Sequence, residues 1–460
     1  MTGSKPKRIA LLLLCIALST VWSYQIRRDF QGPLKMPDFA AIYYGARCAL
    51  HRQDLYNPSK LLADFRAETA NAPADPLAAK RARDVLSVCV NMPTALLVIS
   101  PFALLPWPFA ANLWMLLTAA LLALAAYLMW DLAGERAPLF VGMLAAFLLA
   151  NCEALLTVGN IAGFTVALCV IAAWCFLKNR YALAGVVLLG VGLVLKPHDS
   201  GLIWLYFLLA GGALRKRALQ SLAVAGVLLA LAVLWIAPVS PHWIAELRGN
   251  LASVSLPGGT SDPSLSGSTS RTAGEIIDLQ AAISIFKNDP RFYNLLSYLV
   301  AGSLIFAWAI AVLRKRFSPQ SALFALASIS ALSLLPIYHR PNDAKIILLA
   351  LPACAALWTG KGATRWIALA LTSAAIIVSS DIPLLVLTIL TRNLPTYPAT
   401  FSAKLIDLVM LQPVPLILLA TGCFYLYLFL QSVPAQIGKQ DAQLWFLPES
   451  LDQAPSHPGK

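Results

Sequence analysis

One acidic residue stands out just after the first apolar segment of the chain. Asp38 opens the stretch "PDFAAIYYGARCALHRQDLY", residues 37–56, in which Phe39, Ile42, Tyr43, Ala46 and Leu50 recur at helical spacing. The pattern suits a helix that lies on a membrane surface, with Asp38 as its N-cap. The helix dipole would keep the Asp38 carboxylate ionised, as a general base requires at neutral pH. Asp38 is therefore our candidate base for taking a proton from a hydroxyl group.

A second polar segment, Lys196-Pro197-His198-Asp199, interrupts a long apolar stretch. The apolar segments on either side are too short to cross a membrane comfortably, so two short helices should meet at this point. Ionisable groups at membrane depth are usually functional, and Lys196 is suited to binding a phosphate. The alternative is a lysine at a helix end whose side chain extends to the surface.

A third polar segment is the turn "YHRPND", residues 338–343. Arg340 could hold a phosphate through two parallel hydrogen bonds, and His339 could bind a phosphate or a sugar hydroxyl. The alternative is a surface ion pair between Arg340 and Asp343, which would contribute little to stability.

The composition predicts an all-α polytopic membrane protein. Of the 460 residues, 59% are hydrophobic and 12% are charged, against about 25% charged residues in soluble domains. Apolar runs of helical length recur along nearly the whole chain, and they lack the alternation of a membrane β-barrel. The net charge of +13 does not indicate nucleic-acid binding, because much of it lies in short clusters between apolar runs, as the positive-inside rule requires.

The basic clusters also constrain the topology. Thirteen apolar segments are candidates for membrane spans: 9–24, 93–106, 109–130, 138–157, 161–177, 181–195, 200–214, 218–238, 295–313, 320–337, 343–359, 366–386 and 403–430. If all crossed from a cytoplasmic N-terminus, the basic clusters at 178–180, 215–217 and 314–316 would lie outside. Segment 93–106 is short and contains three prolines, so we predict that it does not cross. Twelve crossings follow, with both termini in the cytoplasm and the three polar segments on the outer face.

The remaining segments are assigned from their composition. Residues 1–430 form one membrane domain, with outer loops at 25–92 and 239–290, and residues 431–460 are expected to be a disordered cytoplasmic tail. The Ser- and Gly-rich part of loop 239–290 is either a mobile lid or a passive spacer that ends in a surface helix. The first apolar run is taken as an uncleaved span rather than a signal peptide. Cys48 and Cys89 either pair or stay free thiols. No metal-binding motif or nucleotide-binding motif occurs, so no metal and no cofactor are predicted.

Taken in order, the motifs resemble those of glycosyltransferase family 87, integral membrane enzymes of the GT-C type. The matching stretches are "PDFAAIYYGARCAL…DLYNP" at 37–58, "MPTALLVISPFALLPWPFAANLW" at 92–114, "TVGNIAGF" at 157–164, "LKPHDSGLIW" at 195–204 and the turn at 338–343. Two departures are clear: Asn160 directly follows Gly159 where Gly-Gln-x-Asn is usual, and Met92-Pro93 stands where an aromatic residue before Pro-Pro is common.

The resemblance implies transfer of a sugar, such as mannose or a pentose, from a polyprenyl-phosphate donor to an envelope glycan or glycolipid. The reaction would occur with inversion on the outer face of a bacterial inner membrane. Asp38 would be the base, and Lys196, His339 and Arg340 would neutralise the leaving phosphate. Further candidate substrate contacts are Tyr43, Tyr44, Asn160, His198, Asp199 and Asp343. The competing functions are a transporter or flippase of a lipid-linked saccharide and a structural membrane subunit.

Overall fold

The computed structural model describes residues 36–69, 88–133, 139–264, 275–315, 317–391 and 400–432. The described part of the chain contains helices and no strand, as the composition predicts. The helices of the first half are α1 (Pro37–Leu50), α2 (Pro58–Thr69), α3 (Pro93–Ala103), α4 (Trp107–Ala133), α5 (Leu139–Ala150), α6 (Glu153–Val158), α7 (Ile161–Leu177), α8 (Ala182–Leu195), α9 (Pro197–Leu209) and α10 (Gly212–Ile236).

The second half continues in the same way. Its helices are α11 (Trp243–Val254), α12 (Leu279–Ser284), α13 (Pro290–Arg314), α14 (Pro319–Leu332), a 3₁₀ helix (Asp343–Ala350), α15 (Leu351–Trp358), α16 (Thr364–Val378), α17 (Asp381–Thr391), α18 (Phe401–Leu411) and α19 (Pro413–Gln431). The predicted first span, 9–24, lies outside the described residues, as does the predicted tail, 431–460, except for Gln431 at the end of α19 and Ser432.

Three elements form the centre of the bundle. Every residue from Thr165 to Leu177 in α7 is buried, as is every residue from Ser321 to Leu332 in α14. A helix that is apolar on all sides belongs in the interior. The fully buried 3₁₀ helix lies between them and contacts both. Because this helix directly follows the turn 338–343, the core fixes the position of that turn.

The predicted count of twelve crossings is not confirmed. Within the described residues, five helical segments are long and apolar enough to cross a membrane, and one of them, Leu139–Val158, comprises α5 and α6. The number is six if α16 and the first part of α17, bent by 72°, form one span. The other apolar segments are shorter or broken; segment 403–430, for example, divides at Gln412 into α18 and α19. Helix α3, at 11 residues, is about 16 Å long, roughly half the hydrocarbon thickness, as expected for a segment that does not cross.

Two of the long helices carry broad exposed apolar faces, as contact with lipid requires. Only 22% of the apolar window of α10 and 28% of that of α13 are buried within the protein. Exposed leucines in these helices include Leu231 and Leu234 in α10 and Leu295 and Leu299 in α13. Apolar surface of this extent is incompatible with water. The protein is therefore a polytopic membrane protein.

The helix predicted after Asp38 is confirmed, but two expectations about it are wrong. Helix α1 does not lie on a surface, because its residues from Phe39 to Ala46 are all buried. Asp38 does not cap the helix either: Met36 is the N-cap residue, no side chain makes a cap hydrogen bond, and Asp38 lies in the first turn. The reason is aromatic packing. The Phe39 ring stacks on Trp114 of α4 at 4.9 Å, and Trp114 stacks on Phe164 of α7 at 4.9 Å.

The two cysteines of the predicted first outer loop do not form a disulfide. Cys48 in α1 and Cys89 before α3 are both buried thiols. The disulfide considered from the sequence is therefore absent.

A close backbone approach locks α1 against the end of α6. The backbone N–H of Met36 donates to the Thr157 carbonyl at 3.0 Å. Gly159 ends α6 in the left-handed conformation, with φ +69°, and a Cβ there would lie 2.7 Å from Phe39 Cβ and 2.9 Å from Met36 Cβ. Glycine is needed here both for its backbone angles and for its lack of a side chain.

Gly159→Ala should therefore lower the free energy of unfolding by about 1–3 kcal/mol, because overpacking and left-handed strain combine. Thermal unfolding of the purified protein in detergent measures the effect. Gly226→Ala is the matched control, since Gly226 lies within α10 with open space around it, and there alanine should be neutral or stabilising. Equal unfolding temperatures for Gly159→Ala and the parent protein would contradict this packing.

Candidate functional site

Four polar segments that are distant in sequence meet at one end of the bundle, here called the polar end. They are the start of α1 with Asp38, the turn 157–160, the break 196–199 between α8 and α9, and the turn 338–343. Hydrogen bonds, ion pairs and electrostatic interactions link all four. This arrangement agrees with the prediction from the sequence that the polar segments lie on one face of the protein.

Asn160 connects Asp38 to the core. Its side-chain oxygen accepts a hydrogen bond from the Ala162 N–H at 2.8 Å and so caps α7. This contact turns the amide nitrogen towards Asp38, and Nδ2 donates to Asp38 Oδ2 at 2.6 Å. The sequence predicted a substrate contact for Asn160; the structure shows that it holds the half-buried Asp38 carboxylate in place.

Lys196 connects the helix break to the late turn. Its ammonium group forms ion pairs with Asp343 and, at 3.2 Å, with Asp199. The side chains of Asp199 and Asp343 are almost completely buried, whereas that of Lys196 is 14% exposed. Buried charges persist only when they are paired. The ammonium group has three donor hydrogens, so two carboxylates leave it the capacity for one more acceptor.

Arg340 lies at the edge of this cluster. Its guanidinium group donates to the Tyr338 hydroxyl and, at 3.1 Å, to the carbonyl of Thr260. The alternative considered from the sequence, a surface ion pair between the side chains of Arg340 and Asp343, is not formed. Asp343 accepts instead from the backbone N–H of Arg340 at 2.7 Å. Thr260 belongs to the loop predicted as a lid or spacer, whose residues 265–274 lie outside the described ranges. The end of that loop forms only the short helix α12.

Two histidines lie beside Asp199, the ion-pair partner of Lys196. His339 is fully buried, and its Nε2 lies 3.3 Å from Asp199 Oδ1. His198 is half-buried, and its Nε2 lies 3.8 Å from the same oxygen. His198, Asp199 and His339 each offer one potential metal-ligand atom, and these three atoms lie within 4.8 Å of one another. The sequence predicted a phosphate contact for His339, whereas the structure directs its ring towards Asp199.

Tyr43 and Tyr44, the remaining candidate contacts, lie in the packed interior of α1. Tyr43 donates to the Leu105 carbonyl at 2.7 Å and accepts from Arg47 at 2.8 Å. The Tyr44 ring stacks on Trp107 at 5.7 Å. Both side chains are buried, so the structure gives them a packing role, and contact with substrate stays a prediction.

The basic clusters lie at the other end of α7. This helix begins beside Asn160 and ends at Leu177, 17 residues or about 26 Å further on. There Arg217 donates to the Phe176 carbonyl at 3.1 Å and to the side chain of Asn179. The clusters at 178–180 and 215–217 therefore adjoin each other, well separated from the polar end, as the topology prediction requires.

Burial and the neighbouring charges act in opposite directions on Asp38. Burial raises the pKa of the carboxyl group above its ordinary value of 3.8, because the charged form loses hydration. The positive charge of Arg340, the hydrogen bond from Asn160 and the charge of Lys196 lower that pKa, whereas Asp343 raises it. The Asp38 carboxyl group is thus within the electrostatic influence of the cations of two other segments.

Lys196→Met should lower the free energy of unfolding by about 3–5 kcal/mol, because it leaves two buried carboxylates without their shared cation. The midpoint of thermal or denaturant-induced unfolding in detergent measures the loss. Adding Asp343→Asn should restore part of it, since one uncompensated charge disappears.

Lys216→Met is the control for that substitution, because Lys216 is exposed on α10 and its replacement should change stability by less than about 0.5 kcal/mol. If Lys196→Met unfolds at the same midpoint as Lys216→Met, the ion pairs do not hold the break and the turn together.

Comparison with known proteins gives one match. A model of glycosyltransferase family 87 matches residues 90–337, which is more than half of the 460-residue chain. The matched region includes Asn160, Lys196 and Asp199; it begins after Asp38 and ends just before the turn 338–343. No curated protein and no solved structure matches the chain. The chain belongs to glycosyltransferase family 87 and is a membrane glycosyltransferase.

Proposed function

We propose that this glycosyltransferase transfers a sugar from a polyprenyl-phosphate donor to a hydroxyl group of an envelope glycan or glycolipid. The sugar is a hexose such as mannose, or a pentose. The reaction takes place with inversion at the polar end, on the outer face of a bacterial inner membrane, with both termini in the cytoplasm. The proposal goes beyond family membership in naming the donor, the acceptor and the side of the membrane.

The observation that carries the proposal is the position of Asp38 relative to the cations. One half-buried carboxylate, oriented by Asn160, interacts electrostatically with Arg340 and Lys196. Inverting transfer from a phosphate-linked sugar needs a base on one side of the anomeric carbon and positive charge on the other. Groups that are fixed before the substrate binds stabilise developing charge without reorganisation.

The proposed reaction is a single displacement. The acceptor hydroxyl gives its proton to Asp38, and its oxygen forms a bond with the anomeric carbon. The bond between that carbon and the phosphate oxygen breaks, and the oxygen keeps the electron pair. The products are the new glycoside, polyprenyl phosphate and a protonated Asp38, which then returns its proton to water.

Lys196 and Arg340 would bind the leaving phosphate. Lys196 has one donor hydrogen beyond its two carboxylate partners, and the guanidinium of Arg340 has N–H groups beyond its bonds to Tyr338 and Thr260. His339 would act from behind Asp199 and not by direct contact. The exposed apolar faces of α10 and α13 suit a donor whose prenyl chain stays in the bilayer.

A transporter or flippase was the alternative function suggested by the polar sites within apolar sequence. Family membership makes the protein a glycosyltransferase, and the polar segments cluster at one end instead of at the membrane midplane, where transporters bind their substrates. Neither observation favours the alternative.

Asp38→Asn should reduce transfer by about 100- to 10,000-fold, the usual contribution of a general base. Asparagine has nearly the same shape, so the fold should be unaffected. Purified protein would be assayed with synthetic polyprenyl-phosphate mannose and arabinofuranose, and with bacterial envelope lipid as acceptor.

Asp289→Asn serves as the control for this substitution. Asp289 caps α13 through the Arg291 N–H at 3.0 Å, and asparagine caps helices as well as aspartate does. The control should transfer sugar at the parental rate. Full activity in Asp38→Asn would contradict the assignment of Asp38 as the base. Parental protein that uses only nucleotide sugars would contradict the assignment of a polyprenyl-phosphate donor.

Arg340→Gln should move the acidic limb of the pH profile of kcat/KM to higher pH. The base form of Asp38 is lost as the pH falls through its pKa, which burial raises and Arg340 lowers. Removing the positive charge therefore raises that pKa further. Arg340→Lys keeps the charge and should leave the limb near its parental position, even if the rate falls. The polyprenyl phosphodiester does not titrate near neutral pH, so it does not confuse the result. A limb that stays in place or moves to lower pH in Arg340→Gln contradicts this account.

A further inference from the structure

The cluster of His198, Asp199 and His339 contains polar atoms that protein partners do not satisfy. The Nε2 atom of His339 and the Oδ1 atom of Asp199 are buried without a hydrogen-bond partner among the described residues, whereas Asp199 Oδ2 is ion-paired with Lys196 at 3.2 Å. Asp199 is 3% exposed and His339 is fully buried. Groups of this kind are costly to bury, so an additional ligand is expected beside them.

The tautomer of His339 sharpens this requirement. Its Nδ1 lies 2.8 Å from the Ile337 carbonyl, and a carbonyl can only accept, so Nδ1 carries the hydrogen. In the neutral ring, Nε2 then presents a lone pair to Asp199 Oδ1, 3.3 Å away. Two acceptors that face each other need a cation between them. That cation is either a second proton on the imidazole or a metal ion.

The geometry favours a metal ion. Ligand atoms about 2.0–2.1 Å from a tetrahedral ion lie about 3.3 Å from one another. Asp199 Oδ1 lies 3.3 Å from His339 Nε2 and 3.8 Å from His198 Nε2. A proton on His339 would account for the first distance alone. His198 directly precedes Asp199 in the chain, so its ring is available beside the same oxygen as a further ligand. Small rotations of the half-buried His198 would complete three ligands around one point.

The surroundings also suit a metal site. A metal-binding histidine usually donates its other ring N–H to a backbone carbonyl, as His339 does to Ile337, and a metal-binding carboxylate usually has a partner on its second oxygen. Lys196 lies 3.2 Å from Asp199 Oδ2, which leaves Oδ1 for the ion. Lys196 also offers only one positive charge to Asp199 and Asp343. A divalent ion would compensate the remaining negative charge.

We propose that His198, Asp199 and His339 bind one divalent transition-metal ion such as Zn²⁺. Imidazole and carboxylate ligands suit this class, and three protein ligands leave a coordination position open. The sequence predicted no metal, because His339 is far along the chain from His198 and Asp199.

The open position would take an oxygen of the donor phosphate. This step rests on the proposed function, because it assumes that Lys196 lies beside that phosphate. The ion would then share the negative charge of the leaving group with Lys196 and Arg340. Metal binding itself does not depend on the reaction and can be tested without substrate.

The test uses the full chain in detergent, stripped with a chelator, dialysed and titrated with Zn²⁺ or Co²⁺. We expect one ion per chain by elemental analysis, and the visible absorption bands of low-symmetry Co²⁺. His198→Gln should lose the bound ion and these bands. Because His198 is half-buried and makes no hydrogen bond with the described part of the chain, this variant should unfold at the parental temperature. His242→Gln, at an exposed histidine between α10 and α11, should keep the ion.

The possible outcomes separate the two proposals. Folded parental protein that binds no stoichiometric metal, or that binds it equally well after His198→Gln, overturns the metal site and leaves the test of Asp38 untouched. If the ion binds, polyprenyl phosphate should shift the Co²⁺ bands, whereas polyprenol should not. Bands that polyprenyl phosphate leaves unchanged would overturn the phosphate contact, whatever the result of the transfer assay.

Discussion

The ammonium group of Lys196, shared between Asp199 and Asp343, is the interaction on which the polar end depends. The two segments it joins, the break after α8 and the turn before the 3₁₀ helix, are 147 residues apart in the chain. Neither carboxylate is stable at this depth without a cation, and the cation is not stable there without them. The two ion pairs of Lys196 therefore hold the break and the turn in fixed positions relative to each other.

A second, weaker link places the carboxylate of Asp38. Asn160 caps α7, one of the buried central helices, with one end of its amide and holds Asp38 with the other. Behind this contact, Gly159 allows α1 to approach closely, and the stack of Phe39, Trp114 and Phe164 prevents α1 from turning. The candidate base is thus attached to the rigid core through the first turn of α1. A base and its opposing cations that are both fixed in this way suit a reaction in which charge develops on both sides of one carbon atom.

The sequence made some of this predictable, because charge is conspicuous in an apolar chain. Asp38, the break at 196–199 and the turn at 338–343 could be singled out, and the basic clusters placed them on one face. The partners could not be predicted. Nothing local shows that Asn160 contacts Asp38, that Lys196 pairs with Asp343, or that His198 and His339 meet. Such contacts depend on how separate helices pack, which a single sequence does not record.

The errors have physical causes too. Helical spacing predicted α1 correctly, but an apolar stripe cannot reveal that aromatic neighbours bury the opposite face as well. The count of crossings assumed that each apolar run is one helix. Prolines, the 3₁₀ helix and the bend between α16 and α17 divide several runs into pieces too short to cross alone. At two of these breaks, Lys345 donates to the free carbonyls of Asn151 and Ser379, so a buried cation stabilises irregular backbone within the bundle.

The most direct test of the central claim is a cryo-EM structure of the protein with a non-hydrolysable polyprenyl-phosphonate sugar. The account predicts that the phosphonate lies against Lys196 and Arg340, with Asp38 on the opposite side of the anomeric carbon, facing the space that an acceptor hydroxyl would occupy. A phosphonate bound at the basic end of α7, or a sugar with Asp38 and the phosphonate on the same side, would contradict it.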